Sequence, residues 1–564
     1  MISNYIKTAF RIMLRQKGYS AINLAGLSIG MATSLLILLY VTDELSFDRF
    51  HKNANQIYRM GFGGKMQGNE FNSATTPIPL AEGLRAEVPG VASTVRFGLW
   101  RNTSTSFGEK RFTESNFLVA DSNFFEFFSF PLLSGNARTA LQGVNKVVLS
   151  ESAAKRYFGN ENPLGKVILM GVEKTAVEVS AVSADAPATS HIQFDVVLSG
   201  DSWSFMGTDK TWTAINIYTY FKAVPGVDLN QIKRQVDQLT VRHIGPELET
   251  FLGISFQEFL KAGNNIGLFI QPLLDIHLHS DLQDELTPNG DIQYVYIFGV
   301  IGVFIIVVAC INFMNLTTAR SANHAKEIGV RKSIGAFRGK LIGQFISESI
   351  LYSSMATVVA LALISALLPS FNIISGKSLT LSLLTNPVLI IGIILLTVFI
   401  GLLAGSYPAF YLTAFRPAEV LKGKLRSGTR NSSLRNSLVI FQFVISIVMI
   451  LSSLVVYKQL RYMQKKNMGF DKENVVRLMH TSSLGKNAKA FKDELISRSE
   501  FTSASFANEL PPYVHWSKAF RKSGSEQDFI LKAIRVDVDN LETMKYTLAQ
   551  GVSFPVIFHR IPHP

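Results

Sequence analysis

One cysteine, Cys310, occurs in 564 residues, which excludes an internal disulfide and a cysteine-based metal site. Charged residues make up 17% of the chain, against about a quarter in soluble globular proteins. No phosphate-binding loop is present. Gly159 to Gly165-Lys166-Val167 has too many intervening residues and a valine where Ser or Thr is needed, and Gly335 to Gly339-Lys340-Leu341 fails on both counts as well. Ser150-Glu151-Ser152 lacks a nucleophile-elbow context, which argues against hydrolase chemistry. His277 and His279 fall on one face if Ile276-His277-Leu278-His279 is a strand, yet no nearby cysteine or paired carboxylate completes a metal site. These two and His191 are therefore read as structural, and no resident cofactor or metal is expected.

What the chain does have is long apolar runs. A bilayer core of about 30 Å needs about 20 apolar residues in helix. Five segments qualify: 21–40, 292–314, 341–370 (its charge-free part beginning after Glu348), 388–411 and 436–457. Polar groups inside them are few, and no ionic pathway runs through the membrane, which argues against small-ion transport. The run at 21–40 is too long for a signal peptide, and Tyr40-Val41-Thr42-Asp43 offers no small-residue cleavage site. Ahead of it, Ile2, Tyr5, Ile6, Ala9 and Met13 repeat at helical spacing with Lys7, Arg11 and Arg15 on another face. Residues 1–20 are thus expected to form an interfacial helix on the lipid of the inner leaflet.

Charge supplies the topology. Loop 316–340 holds six basic residues against Glu327, and loop 412–435 six against Glu419, whereas 41–291 holds 21 basic and 28 acidic residues. Short Lys/Arg-rich loops stay in the cytoplasm. The N-terminus and both basic loops are therefore placed inside, with 41–291 and 458–564 outside. Lys458, Arg461, Lys465 and Lys466 oppose this placement and make the fifth run the least constrained.

Residues 41–291 mix short strands (146–149, 177–182) with helical stretches (Glu151–Phe158, 229–243), which suggests a mixed α/β domain. The turn cluster 159–165 separates a helix from a strand. The run Phe124-Phe125-Glu126-Phe127-Phe128 reads as core packing. Near residue 404 the fourth apolar run approaches its end, where Pro408 is expected to disrupt the helical ladder. The order of basic lead-in, one span and soluble domain begins a second time at 412–435, which looks like a partial duplication.

Several stretches now form a pattern. Phe47-Asp48-Arg49-Phe50-His51, Ile57-Tyr58-Arg59, Leu149-Ser150-Glu151-Ser152-Ala153-Ala154-Lys155-Arg156-Tyr157-Phe158-Gly159, Asn162-Pro163-Leu164-Gly165-Lys166, and the stretch from Pro187 through Ser190-His191 to Phe194-Asp195 follow one another in order. Glu327-Ile328-Gly329-Val330-Arg331-Lys332-Ser333-Ile334-Gly335-Ala336 and Tyr407-Pro408-Ala409 with Arg416-Pro417 come after them. Together they resemble the FtsX/MacB-like permease subunits of ABC transporters, particularly the two-repeat type, over about residues 3 to 550. The resemblance implies a multi-pass α-helical membrane protein with a mixed α/β periplasmic core domain and a partial second one. Its parts would be an interfacial helix at 1–20, spans at 21–40, 292–314, 341–370, 388–411 and 436–457, a core domain at 41–291, a coupling loop at 315–340, a linker at 412–435 and a partial second domain at 458–564. The last dozen residues no longer look like the family, which leaves a truncated or frameshifted product as one reading of the short second repeat.

The resemblance also implies a role for the basic loop. Glu327, Ile328, Gly329, Arg331, Lys332, Gly335 and Ala336 match the cytoplasmic coupling helix that docks into an ABC ATPase. Ile328, Ile334 and Val330 would form its apolar stripe, and Glu327 and Arg331 would pair across one turn for about 0.2–0.5 kcal/mol. Composition alone leaves docking and ordinary positive-inside residues equally open. The expected partners are a cytoplasmic ATPase carrying ATP-Mg, another permease half and membrane lipid, with no nucleic acid. The expected location is a bacterial inner membrane. The expected work is peptide or antibiotic export, lipoprotein extraction or signalling to cell-wall enzymes, with no catalysis by this chain. A membrane receptor sensing an outer ligand is the alternative, against which the inner loops are short.

Overall fold

The computed structural model describes residues 17–319, 330–380, 387–413 and 429–550, together with 11 and 15, apart from positions 67, 172, 335, 472, 480, 512, 513, 515, 516, 522, 525–527 and 549. Most of the interfacial helix expected at 1–20 and of the linker at 412–435 lies outside these residues. The chain forms two compact units, one of Met1–Ser46 with Gly290–Gln464 and one of Phe47–Asn289 with Lys465–Pro564.

In the first unit, five helices among the described residues are long and apolar enough to cross a membrane. They run Lys17–Leu45, Ile292–Ala319, Arg338–Ser375, Pro387–Thr413 and Thr429–Lys465, each longer than its apolar run. The third has 38 residues, about 57 Å at 1.5 Å per residue, so it must extend well beyond an apolar layer of about 30 Å. Proline ends neither the third nor the fourth helix. Pro369 and Pro408 lie inside them, which corrects the break expected at Pro408. Neighbouring spans and hydroxyl side chains can compensate the backbone groups a proline frees.

Small residues let these helices approach closely. A Cβ added at Gly401 would lie 2.8 Å from the Ile350 Cα, and one at Gly30 would lie 2.7 Å from the Ala309 Cβ. Along the same contacts, Ser353 Oγ donates to the Thr397 carbonyl at 2.9 Å, and the Thr357 and Thr397 hydroxyls lie 2.8 Å apart. Leu35, Leu39, Ala356, Ala360, Ile364 and Ile400 fill the apolar centre.

The second unit contains one large mixed sheet. Ile57–Met66 pairs antiparallel with both Ile215–Ala223 and Asn265–Pro272. Lys146–Ser150 pairs parallel with Thr175–Ser183 and antiparallel with Val196–Ser199. Local sequence explains the helix that follows Lys146–Ser150. The Ser150 side chain accepts from the Ala153 amide as N-cap, Lys155 pairs with Glu151 at 2.6 Å, and Gly159 ends the helix at φ 64°. Phe124, Phe125, Phe127 and Phe128 are all buried in one core. The helical stretch expected over 229–243 is α-helical over Leu229–Leu239 and continues as a π turn over Thr240–Ile244.

Ile276-His277-Leu278-His279 is a single helical turn, not a strand. Residues two apart on a helix do not share a face, so the two imidazoles diverge. His277 stacks on Phe47 with ring centroids 3.3 Å apart, and His279 lies 3.9 Å from Asp275. Further along, Ser517–Arg521 pairs with Asp528–Lys532 as a hairpin. Lys492, on helix Ala488–Ile496, bridges Asp537 at 2.7 Å and Asp539 at 2.5 Å.

Candidate coupling site

Of the loop residues expected to matter, Arg331, Lys332 and Ala336 are described. Glu327, Ile328, Gly329 and Gly335 lie outside the described residues, as does the Glu327–Arg331 pair. Residues 330–333 are helical, and the Ala336 amide donates to the Arg331 carbonyl at 3.0 Å.

Two basic side chains fasten this turn to different spans. Arg331 Nη1 donates to Gln344 Oε1 of the third helix at 2.9 Å. Lys332 Nζ donates to the Thr413 carbonyl, the last residue of the fourth, at 2.6 Å. A helix C-terminus carries partial negative charge, which favours a cation there. Burial, with repulsion from Arg338, lowers the Lys332 pKa. The lysine therefore has a weaker hold on its proton than a solvated one. Beside it, Leu341 is buried against Phe345 and Tyr411, so the beginning of the third helix and the end of the fourth pack together.

On the turn and just after it, Val330, Ile334 and Phe337 are 44%, 80% and 73% exposed. Val330 and Ile334 stand four apart, one turn of helix. Phe337 is absent from the stripe expected from sequence. So are Gln344 and Thr413, which receive the two cations. An aromatic residue at the edge of a basic loop was the available signal for Phe337. Nothing local marks Gln344 or Thr413, because their role depends on how two helices meet.

The third helix carries this contact through the bundle. Ser20 of the first span meets Tyr352 at 2.9 Å, and Met31 Sδ lies 3.9 Å from the Thr357 hydroxyl. Past the end of the helix, Lys377 Nζ lies 2.7 Å from Glu44 Oε1 and 3.0 Å from Asp43 Oδ2. An apolar cavity of about 260 Å³ lies between the first, third and fourth spans, lined by Leu35, Leu39, Leu361, Ile364 and Leu396 among others.

Residues 20–239 match a MacB-like periplasmic core domain, and residues 299–417 match an FtsX-like permease C-terminal domain. The chain is 27% identical over 271 residues to the macrolide export ATP-binding/permease protein MacB of Aggregatibacter actinomycetemcomitans, covering 46% of this chain and 37% of that protein. It is 29% identical over 294 residues to an uncharacterized ABC transporter permease, YknZ, of Bacillus subtilis, covering 50% of this chain and 62% of that one. The chain thus spans less than two thirds of the length of either relative. The crystal structure of the periplasmic region of MacB from Actinobacillus actinomycetemcomitans is 19% identical, with a TM-score of 0.27 over 40% of this chain and 94% of that one.

Proposed function

The chain belongs to the FtsX/MacB-like permeases of ABC transporters, and from that we propose that it is a permease subunit driven by an ATPase lying outside these 564 residues. ATP binding and hydrolysis there move the loop around Arg331, and the helical bundle passes that motion to the core domain as mechanical work. The basic loops and the N-terminus face the cytoplasm of a bacterium with the inner membrane as host, and the core domain faces the periplasm. A second permease half, another copy or another chain, completes the complex. The work is export of a peptide or antibiotic, lipoprotein extraction or activation of cell-wall enzymes.

One observation carries the reading: Arg331 and Lys332 tie one short turn to both the third and the fourth span. A turn anchored in this way cannot be pushed without moving two spans. Ordinary topology-determining charges need no such partners; they need only headgroups and water.

The test is reconstitution of the full chain with the ATPase that co-purifies with it, followed by measurement of ATP turnover. The wild-type chain is expected to stimulate turnover, and Glu327→Ala and Gly335→Leu to abolish stimulation while the protein still inserts. Labelling that places Arg331 on the outer face, or undiminished stimulation by both variants, overturns the proposal.

A further inference from the structure

Three of the sequence stretches that pointed to the family meet in one place inside the core domain. Asp48 and His191 come from segments 143 residues apart, yet Asp48 Oδ2 lies 2.8 Å from His191 Nδ1. The Asp48 Oδ1 also accepts the His191 backbone amide at 3.1 Å, and the Asp48 amide donates to the Thr189 carbonyl at 2.8 Å. The other imidazole nitrogen of His191 lies 2.8 Å from the Tyr220 hydroxyl. Tyr220 is the direct cross-strand partner of Arg59, so their side chains share one face of the sheet. Arg59 then grips Glu285 with two nitrogens, at 2.5 and 2.8 Å, and reaches Gln271 at 2.6 Å and Ser280 at 3.0 Å.

Four of the five members are shielded from solvent, and the Glu285 side chain is 12% exposed. Asp48, Arg59 and Tyr220 have no measurable exposure, and His191 has 1%. Buried charge is costly unless each group is matched, and removing one member of a matched set leaves its partner stranded. Asp48 also adopts a left-handed backbone at φ 58°, a conformation uncommon for residues other than glycine and one that its surroundings must hold in place. A simple apolar core would need none of this.

The two ends of the relay lie at particular places in the sequence. Asp48 follows the first span almost directly, and Glu285 comes shortly before the second. More contacts join the same two segments to the domain. Phe47 stacks on His277, Tyr218 donates to the Asp284 carbonyl at 2.7 Å, and Arg101 donates to the Leu286 carbonyl at 2.9 Å.

We infer that Asp48, His191, Tyr220, Arg59 and Glu285 form a buried latch that joins the tether leaving the first span and the tether entering the second into one mechanical piece. Displacement of either span then reaches the sheet through both tethers together. The inference rests on the reading of the chain as a force-transmitting permease and assigns that task to side chains inside the core domain.

Hydrogen exchange on the full chain in detergent or nanodiscs, without ATPase or nucleotide, tests it. Peptides covering 47–56 and 273–289 are followed, with 146–150 as reference. Tyr220→Phe removes one oxygen and keeps a ring packed between Phe97 and Phe128. It is expected to speed exchange at least tenfold in both tethers and to leave 146–150 unchanged. Asp48→Asn is expected to do the same, and the double variant to exceed neither single one. If Asp48→Asn unfolds the domain, Tyr220→Phe alone decides. Loosening of only one tether, no loosening, or effects that multiply in the double variant would overturn the latch. A wild-type chain that fails to stimulate its ATPase would instead overturn the permease reading, so the two failures are distinguishable.

Discussion

Lys377 stands 2.7 Å from Glu44 and 3.0 Å from Asp43, and its ammonium lies 5.8 Å from the centre of the Tyr40 ring. One cation thus holds two carboxylates that adjoin each other in sequence. Lys377→Met is expected to destabilise the protein by about 2–4 kcal/mol, because it leaves two sparsely hydrated anions together. Lys377→Met with Glu44→Gln should recover part of the loss. Thermal unfolding of the purified chain in detergent checks both, and an unchanged midpoint for Lys377→Met would remove this contact from any account of stability.

The Gly401 seam predicts a steric effect. An added Cβ would press on the Ile350 backbone, which cannot swing aside, and on the Ser353 hydroxyl, which can move only by giving up its bond to the Thr397 carbonyl. Gly401→Leu should cost about 1–3 kcal/mol by overpacking. Gly392 has open space where a Cβ would stand, so Gly392→Ala should lie close to wild type in the same melting experiment.

The exposed apolar side chains of the inner loop predict a binding effect without a stability effect. Ile334→Ala with Phe337→Ala should weaken association with the ATPase by about tenfold or more, since buried apolar anchors dominate binding energy. The melting temperature should stay within a degree of wild type, because neither side chain is buried. Equal ATPase affinity for this double variant and wild type, measured by titrating turnover, would show that these side chains face only lipid or water.

His51 predicts a pH dependence. Burial lowers its pKa from 6.5 to about 4, against the pull of Asp48. The folded state therefore resists a proton that the unfolded chain accepts. Stability from this group is complete above about pH 6.5 and is lost as pH falls toward 4, by up to about 3 kcal/mol. Asp48 acts in the same direction at lower pH. Burial alone would raise its pKa, but His191 outweighs burial and holds it below the ordinary value, so its contribution fades under stronger acid. His51→Gln should flatten the melting temperature between pH 6.5 and 4.5 relative to wild type. An equal slope in both proteins would exclude His51 as the source.

The spans were legible because length and hydropathy are local properties. Their real ends were not, since the third helix already begins at Arg338, ahead of its apolar run, and the fourth continues through Pro408, where a break was expected. The phenylalanine run at 124–128 and the helix Glu151–Phe158 were also local signals, and both are found where the sequence suggested. At 276–279 an alternating four-residue pattern imitates a strand, because one helical turn is too short to display its own period. The inner loop was legible as charge, but its anchors at Gln344 and Thr413 depend on packing between helices. Asp48, Arg59 and His191 stood out as fragments. That they meet through Tyr220 follows from strand pairing between distant segments, which no short window contains.

The third helix has a consequence for phase. Gln344 near one end and the Lys377 contact past the other are joined by one α-helix, Arg338–Ser375, with Pro369 near its far end. Adding one residue between them rotates one end against the other by about 100°. Adding seven lengthens the rod by about 10 Å yet turns it by only about 20°. Such a rod forgives a change of reach more readily than a change of bearing. Insertions of one and of seven residues should therefore differ far more than their lengths suggest.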